Sequence, residues 1–297
     1  MATALWLYWF TAGGVDEGRH WIEVALRLGG GQPYERATAM WLCGYLVILQ
    51  GDITLAERYA DDAAMTAGTA DAGGAVEPAG STGAGGLVAG ASMIRGLAAL
   101  FRGEMDSAWA LSERAVRGFR EEQDAFGVQQ SLSQVGMAEM MRGHLDEARA
   151  ALDQAYAYAV QGGELWHRSY VVWALGMLHA EEGRPDQALA EFRRSLRLKN
   201  TFRDARGIGA LLETTAWVIA DQRDPLTAAQ LLGGAQAVWP ATGLRLFGFR
   251  ALIETSEQYR NDIRTELGER DFAEAFARGL AMTVRDAVAL ALGEGPR

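Results

Sequence analysis

The feature that most narrows what this chain can fold into is a pair of small residues that keeps returning. A glycine followed five residues later by a small residue occurs at Gly13/Gly18, Gly51/Ala56, Gly103/Ala108, Gly143/Ala148 and Gly183/Ala188, and Arg223/Ala228 continues the series with its glycine replaced. The intervals from 103 to 143 to 183 to 223 are each 40 residues, and the interval from 13 to 51 is 38. Seven residues before the turn stand Gly44, Gly96, Gly136, Gly176 and Ala216; twelve after it stand Ala25, Ala63, Ala115, Ala155, Ser195 and Ala235. Nine after it sit Ile22, Leu152, Phe192 and Leu232, with Ala60 and Ser112 departing. Antiparallel helices approach closely only where a crossing point carries Gly, Ala or Ser, with a large apolar residue one turn away to fill the space beside it. A fixed period of this length is the mark of a stacked repeat array.

Around each turn the pattern predicts helix pairs over 2–12 and 15–28, 34–50 and 53–67, 87–102 and 105–122, 124–142 and 145–161, 164–182 and 185–199, and 203–221 and 225–239. Asp52, Asp106, Asp146, Asp186 and Asp224 follow the turns, where an acidic residue meets the positive end of a helix. Pro185 and Pro225 suit a first helical turn. Between Gly51 and Gly103 the interval stretches to 52, and the Gly/Ala/Ser/Thr-rich segment 68–86 accounts for the excess as a flexible insert. After residue 240 the period fails: 240–248 reads as a turn-rich linker, followed by helices near 250–267, 269–280 and 283–292. The expected division is therefore repeats over 1–67, the insert 68–86, further repeats over 87–240 and C-terminal capping helices over 241–297.

These offsets resemble the tetratricopeptide repeat, in six copies covering residues 1 to about 240. The period departs from the usual length of about 34, so each helix should be longer, roughly 15–18 residues. That lengthened version looks like the repeats of large bacterial signal-transduction ATPases and their associated regulators. The resemblance implies an all-α, right-handed superhelical solenoid of antiparallel helix pairs. The run Leu231-Leu232-Gly233-Gly234-Ala235 through Trp239, then Tyr259, Phe272, Phe276 and Ala287-Val288-Ala289-Leu290, is similar to the tail of the helical region preceding a LuxR-type helix-turn-helix. In such regulators a DNA-binding domain would begin where this chain stops at Arg297, and an ATPase module lies upstream. The opening Met1-Ala2-Thr3, running straight into Leu5, Trp6 and Leu7, likewise reads as a piece of a longer protein.

Composition closes several routes. A net charge of −10 and a pI near 5.0 argue against direct nucleic-acid or anionic-membrane binding by this chain. Cys43 is the lone cysteine, which fits a reducing cytoplasm. Residues 1–12 lack a basic leader and cleavage site, and the sequence suggests no run of the roughly 18–20 apolar residues needed to span a bilayer. No P-loop, HExxH, GxSxG or paired zinc cysteines occur, and the only lysine is Lys199. Gly83-Ala84-Gly85-Gly86 mimics a phosphate loop but follows no strand, and reads as linker. The four histidines, His20, His144, His167 and His179, have no metal-binding spacing. The expectation is a non-enzyme with no cofactor and no metal.

What remains is a surface. The resemblance implies that the first helix of each pair lines a concave face, at roughly ten, six and three residues before the turn glycine. The candidates there are Phe10, Trp41, Tyr45, Met93, Met137, Trp173, Met177, Glu213 and Trp217, with Tyr170 and Gln130 one turn earlier on their helices. This face is aromatic and methionine-rich and nearly free of cations, so it lacks the equipment for clamping a C-terminal carboxylate. Two readings stand open: the residues pack on one another, or they line an apolar groove for an apolar small-molecule effector or an amphipathic helix. The corresponding functions are the effector-sensing region of a cytoplasmic transcriptional regulator and a stand-alone adaptor for protein–protein interaction. Self-association as a homodimer through apolar end faces is a further expectation.

Overall fold

A computed structural model describes residues 8–9, 14–72, 83–163, 165–241 and 244–294 of the chain. Contacts divide it into two units, Met1–Glu164 and Leu165–Arg297. The first holds α1 (Val15–Leu28), α2 (Pro33–Leu49), α3 (Ile53–Ala72), α4 (Ala84–Arg102), α5 (Met105–Glu121), α6 (Ala125–Met141) and α7 (Leu145–Gln161). The second holds α8 (Trp166–Glu181), α9 (Pro185–Phe202), α10 (Ala205–Asp221) and α11 (Pro225–Val238). Two short 3-10 turns, Trp239–Ala241 and Arg245–Gly248, lead into α12 (Arg250–Leu267), α13 (Glu269–Leu280) and α14 (Val284–Leu292). There is no strand among the described residues, and within each unit most helices adjacent in sequence pack on one another. The fold is an all-α helical-repeat solenoid.

Helix ends match the expected ones to within a residue or two almost everywhere. The expected insert is the exception. Helix α3 continues to Ala72 and α4 begins at Ala84, so both ends of 68–86 are helical; residues 73–82 lie outside those described. The phosphate-loop mimic is thus an N-cap, Gly83, followed by the first turn of α4. Most of the expected helix 2–12 also falls outside the description, which reaches only Tyr8 and Trp9 there. One expectation needs correcting: α4 is long and apolar enough to cross a bilayer, but 72% of that apolar stretch is buried inside the protein. Its apolarity is used as core, with Ile94, Ala98 and Leu100 essentially inaccessible.

Each turn works as the sequence implies. Gly51, Gly103, Gly143 and Gly183 all have left-handed backbone, at φ 87°, 81°, 82° and 70°. Where the glycine is missing, Arg223 takes the same conformation at φ 69°. The backbone N–H groups there return to the carbonyls of the preceding helix, which relieves its unpaired C-terminal acceptors. Asp52 and Asp224 accept from the N–H groups of Leu55 and Thr227, and Pro185 and Pro225 stand in the first turns of α9 and α11.

The small positions are where paired helices touch. A β-carbon on Gly44 would lie 3.0 Å from the Ala56 carbonyl oxygen. On Gly136 it would lie 2.6 Å from Cγ of Leu152, and on Gly176 2.5 Å from the Phe192 ring. The departure at Ser112 follows the same logic, because Gly96 faces its hydroxyl and that hydroxyl donates to Gln134 at 3.0 Å. The Leu231–Ala235 run extends the device to the capping helices: Gly233 on α11 and Gly279 on α13 face the opposite helix backbone.

A buried polar cluster holds the turn between α9 and α10. Lys199 Nζ lies 2.9 Å from Asp204 Oδ2, and neither residue is more than 5% exposed. Asp204 also accepts from the Tyr170 hydroxyl at 2.7 Å and from Gly207 N at 3.0 Å, and the ammonium sits 2.8 Å from the centre of the Tyr170 ring. Burial alone would raise Asp204, but Lys199, Tyr170 and the Gly207 N–H together hold it below the ordinary carboxylate range. His167 is pushed down to about 3 by burial and then by the Lys199 charge.

Three outcomes are expected. Gly136→Ala should destabilise the protein by about 1–3 kcal/mol in urea unfolding, since the new methyl displaces Leu152. Gly68→Ala, in a helix with nothing within 4 Å, should stabilise it by up to about 1 kcal/mol. For His167, the folded value lies below the unfolded one of 6.5, so the unfolded chain binds the extra proton between about pH 6.5 and about 3. Stability therefore falls as pH drops through that window, by about 1.4 kcal/mol per unit. Between pH 7 and pH 5 the natural protein should lose about 2 kcal/mol more than His167→Gln, read from denaturant midpoints.

Candidate functional site

In the first unit, the candidate residues come from α2, α4 and α6, the first helices of successive pairs. Trp41 and Tyr45, one turn apart on α2, stack with ring centres 6.2 Å apart and planes inclined by 8°. The Trp41 indole lies against Gly90 of α4, where no side chain could fit. The Tyr45 hydroxyl donates to Gln130 Oε1 on α6 at 3.0 Å. That bond spans α4, so side chains two pairs apart meet along this face. Met93 and Met137 are buried on the same helices. Trp41 Nε1 and Gln130 Nε2 are buried donors with no partner among the described residues. Phe10 lies outside the described residues.

The second unit brings its candidates together differently. Tyr170, Trp173 and Met177 lie on α8, Glu213 and Trp217 on α10. Tyr170 is half-buried and the other four are buried. Trp173 Nε1 donates to Thr214 Oγ1 at 3.2 Å. The chain's own later residues lie over four of the five. Phe247 sits against Tyr170 and Trp173, with ring centres 5.7 and 5.6 Å away. Arg245 Nε donates to Glu213 Oε1 at 3.0 Å, Trp239 Nε1 donates to Glu213 Oε2 at 3.0 Å, and the Ser256 hydroxyl donates to the same carboxylate. Tyr259 stacks on Trp217, with ring centres 5.6 Å apart and planes inclined by 4°, and its hydroxyl donates to Asp221 at 2.8 Å. Glu213, one of the groove candidates, is a buried carboxylate matched to this chain's own Arg245.

Arg245 and Phe247 belong to the stretch the sequence suggests is a linker. Instead, Leu246 is fully buried and Phe247 nearly so. Leu246 (φ 47°, ψ 39°) and Phe247 (φ 60°, ψ 8°) both adopt left-handed backbone, followed by Gly248 at φ 78°. For bulky L-residues that conformation costs on the order of 1–3 kcal/mol each and persists only where surrounding contacts enforce it. The available signal was the apolar content of Leu244, Leu246, Phe247 and Phe249, too high for a solvated connection. Thr214, Gly90 and Ser256 carried no sequence signal beyond small size and polarity.

A cleft of about 340 Å³ between α5, α6 and α7 is lined by Phe119, Arg120, Gln123, Ala125, Val128 and Tyr158, and by none of the candidates. Among the described residues no group of three His, Cys, Asp or Glu is arranged to hold a metal ion. What the candidate residues form is a set of packed aromatic and methionine side chains with a few buried hydrogen-bonding groups among them.

No protein-family model matches the sequence, and no curated protein does. Solved structures do. A Rap protein complexed with competence and sporulation factor aligns over 96% of this chain and 74% of its own, with TM-score 0.66 and 12% identity. The Rap conjugation gene regulator of plasmid pLS20, in complex with the Phr* peptide, aligns over 90% and 74%, with TM-score 0.61 and 10% identity. The apo form of RapI aligns over 97% of both chains, with TM-score 0.57 and 12% identity. At 10–12% identity such likeness establishes a shared fold: this chain has the all-α helical-repeat architecture of the Rap proteins.

Proposed function

We propose that this chain is a polypeptide-binding repeat module, which works by holding a peptide or a segment of a partner protein on the inner face of its helix pairs. The observation that carries this reading is the first unit's candidate face, where Trp41 stacks on Tyr45 and the Tyr45 hydroxyl bonds Gln130 across α4, joining aromatic surface to an amide over three successive helix pairs. Aromatic surface with a few polar groups that fix orientation suits a peptide segment. Two of the similar structures described above were solved with a peptide or factor bound, which supports the same use of the fold here.

A narrower reading makes the module the effector-sensing part of a cytoplasmic bacterial transcriptional regulator of LuxR type, with an apolar small molecule as effector. Its support is the C-terminal run Leu231–Ala235, whose glycines seat α13 on α11. On this reading nucleic-acid contact lies outside this acidic chain. The polypeptide reading is preferred, since two of the similar structures were solved with a peptide or factor bound.

The test is a selection of displayed random peptides on the immobilised chain, followed by calorimetry with the enriched sequences. We expect enrichment, with Gln130→Ala weakening binding at least tenfold, about 1.4 kcal/mol, at unchanged helicity. No enrichment, together with a retained small molecule in native mass spectrometry, would overturn the polypeptide reading in favour of the effector one.

A further inference from the structure

In the second unit the inner face is not vacant but filled by the chain itself. Arg245 sits on the buried carboxylate of Glu213, and Phe247 sits between Tyr170 and Trp173, with Phe249 at 6.1 Å completing the ring cluster. Both contacts come from one short turn between α11 and α12. They are made at the expense of the backbone, because Leu246, Phe247 and Gly248 in succession are left-handed and two of them are bulky. A turn held this way is pulled out of its preferred conformation by its own side chains.

We propose that Arg245–Phe249 is a self-ligand, a strap occupying a polypeptide-docking site on α8 and α10 that an incoming segment of the same chemistry displaces. The partner it fits is a peptide with an arginine followed two positions later by an aromatic residue. Glu213 is a fully buried anion that accepts a guanidinium, and Tyr170 and Trp173 form an aromatic slot beside it. A free peptide makes these contacts with relaxed backbone, whereas the strap makes them strained, so exchange favours the incoming chain once it is concentrated enough. Displacement also frees the approach to α12, whose Glu257 pairs with Arg245 and whose Ser256 reaches Glu213. Occupancy of the face is thereby coupled to the seating of the capping helices. The inference rests on the polypeptide-binding reading but concerns a different face and different residues.

The experiment uses a fluorescein-labelled peptide Leu-Arg-Leu-Phe-Gly-Phe, the sequence of residues 244–249, titrated by anisotropy. The full chain is compared with the double variant Arg245→Gln/Phe247→Gly, in which glutamine keeps a donor for Glu213. We expect the variant to bind at least tenfold tighter than the natural chain, and a control peptide with alanine for its first phenylalanine to bind at least tenfold more weakly. Equal binding to both proteins, or none to a variant with unchanged helicity, overturns the strap. If the variant does not fold, hydrogen exchange on the natural chain decides. Amides of 246–249 exchanging at least a hundredfold faster than those of α10 support a displaceable strap, and exchange at the α10 rate overturns it. Peptide selection that fails on the natural chain while the strap peptide binds the variant would refute the polypeptide reading for the first unit and leave the strap standing.

Discussion

The absence of a β-carbon at a few positions decides where the helices of this chain can touch. At Gly44, Gly136 and Gly176 the facing helix occupies the space a methyl group would need. Every other feature of the pairs adjusts to that contact. The small residue five positions past the turn, fully buried at Ala56, Ala108, Ala148, Ala188 and Ala228, accommodates the partner from the other side. The large residue four further on, Leu152 or Phe192, fills the gap the glycine leaves. A left-handed turn residue is then needed to reverse the chain within the few residues available, and even arginine adopts it at position 223. Longer helices than the usual repeat lengthen the contact without changing its rule.

Apolar packing of this kind is permissive about register, and buried charge is not. Lys199 with Asp204, and Arg245 with Glu213, are each satisfied only when two particular elements meet in one arrangement. A buried ion pair contributes little net stability against an apolar substitute, but removing one partner costs several kcal/mol because the other is stranded. These pairs therefore select among arrangements that small and large residues alone would tolerate. The lone lysine of the sequence is placed where its stem lies along Gly207 and its ammonium lies over Tyr170.

The two inner faces put similar residue types to different ends. In the first unit aromatic and amide groups reach across α4 to one another. In the second the same kind of surface is covered by a strained turn and by α12, and its carboxylate has a cation from its own chain.

Helices, their pairing and their turns were legible in the residues alone, because these depend on local rules: which positions lack a β-carbon, which reverse the backbone, which cap a helix. The repeat resemblance placed Trp41, Tyr45, Met137, Trp173 and Trp217 at corresponding offsets of successive first helices. Tertiary structure decided what those residues meet. That Tyr45 finds Gln130 eighty-five positions away, or that Glu213 finds Arg245 from a stretch that reads as linker, depends on how neighbouring helices pack. Small packing angles add along a repeat array, and no local spacing in the chain encodes their sum. The left-handed turn at Leu246 and Phe247 lies further still from sequence rules, because its residues take a conformation they disfavour alone and keep it through contacts made elsewhere.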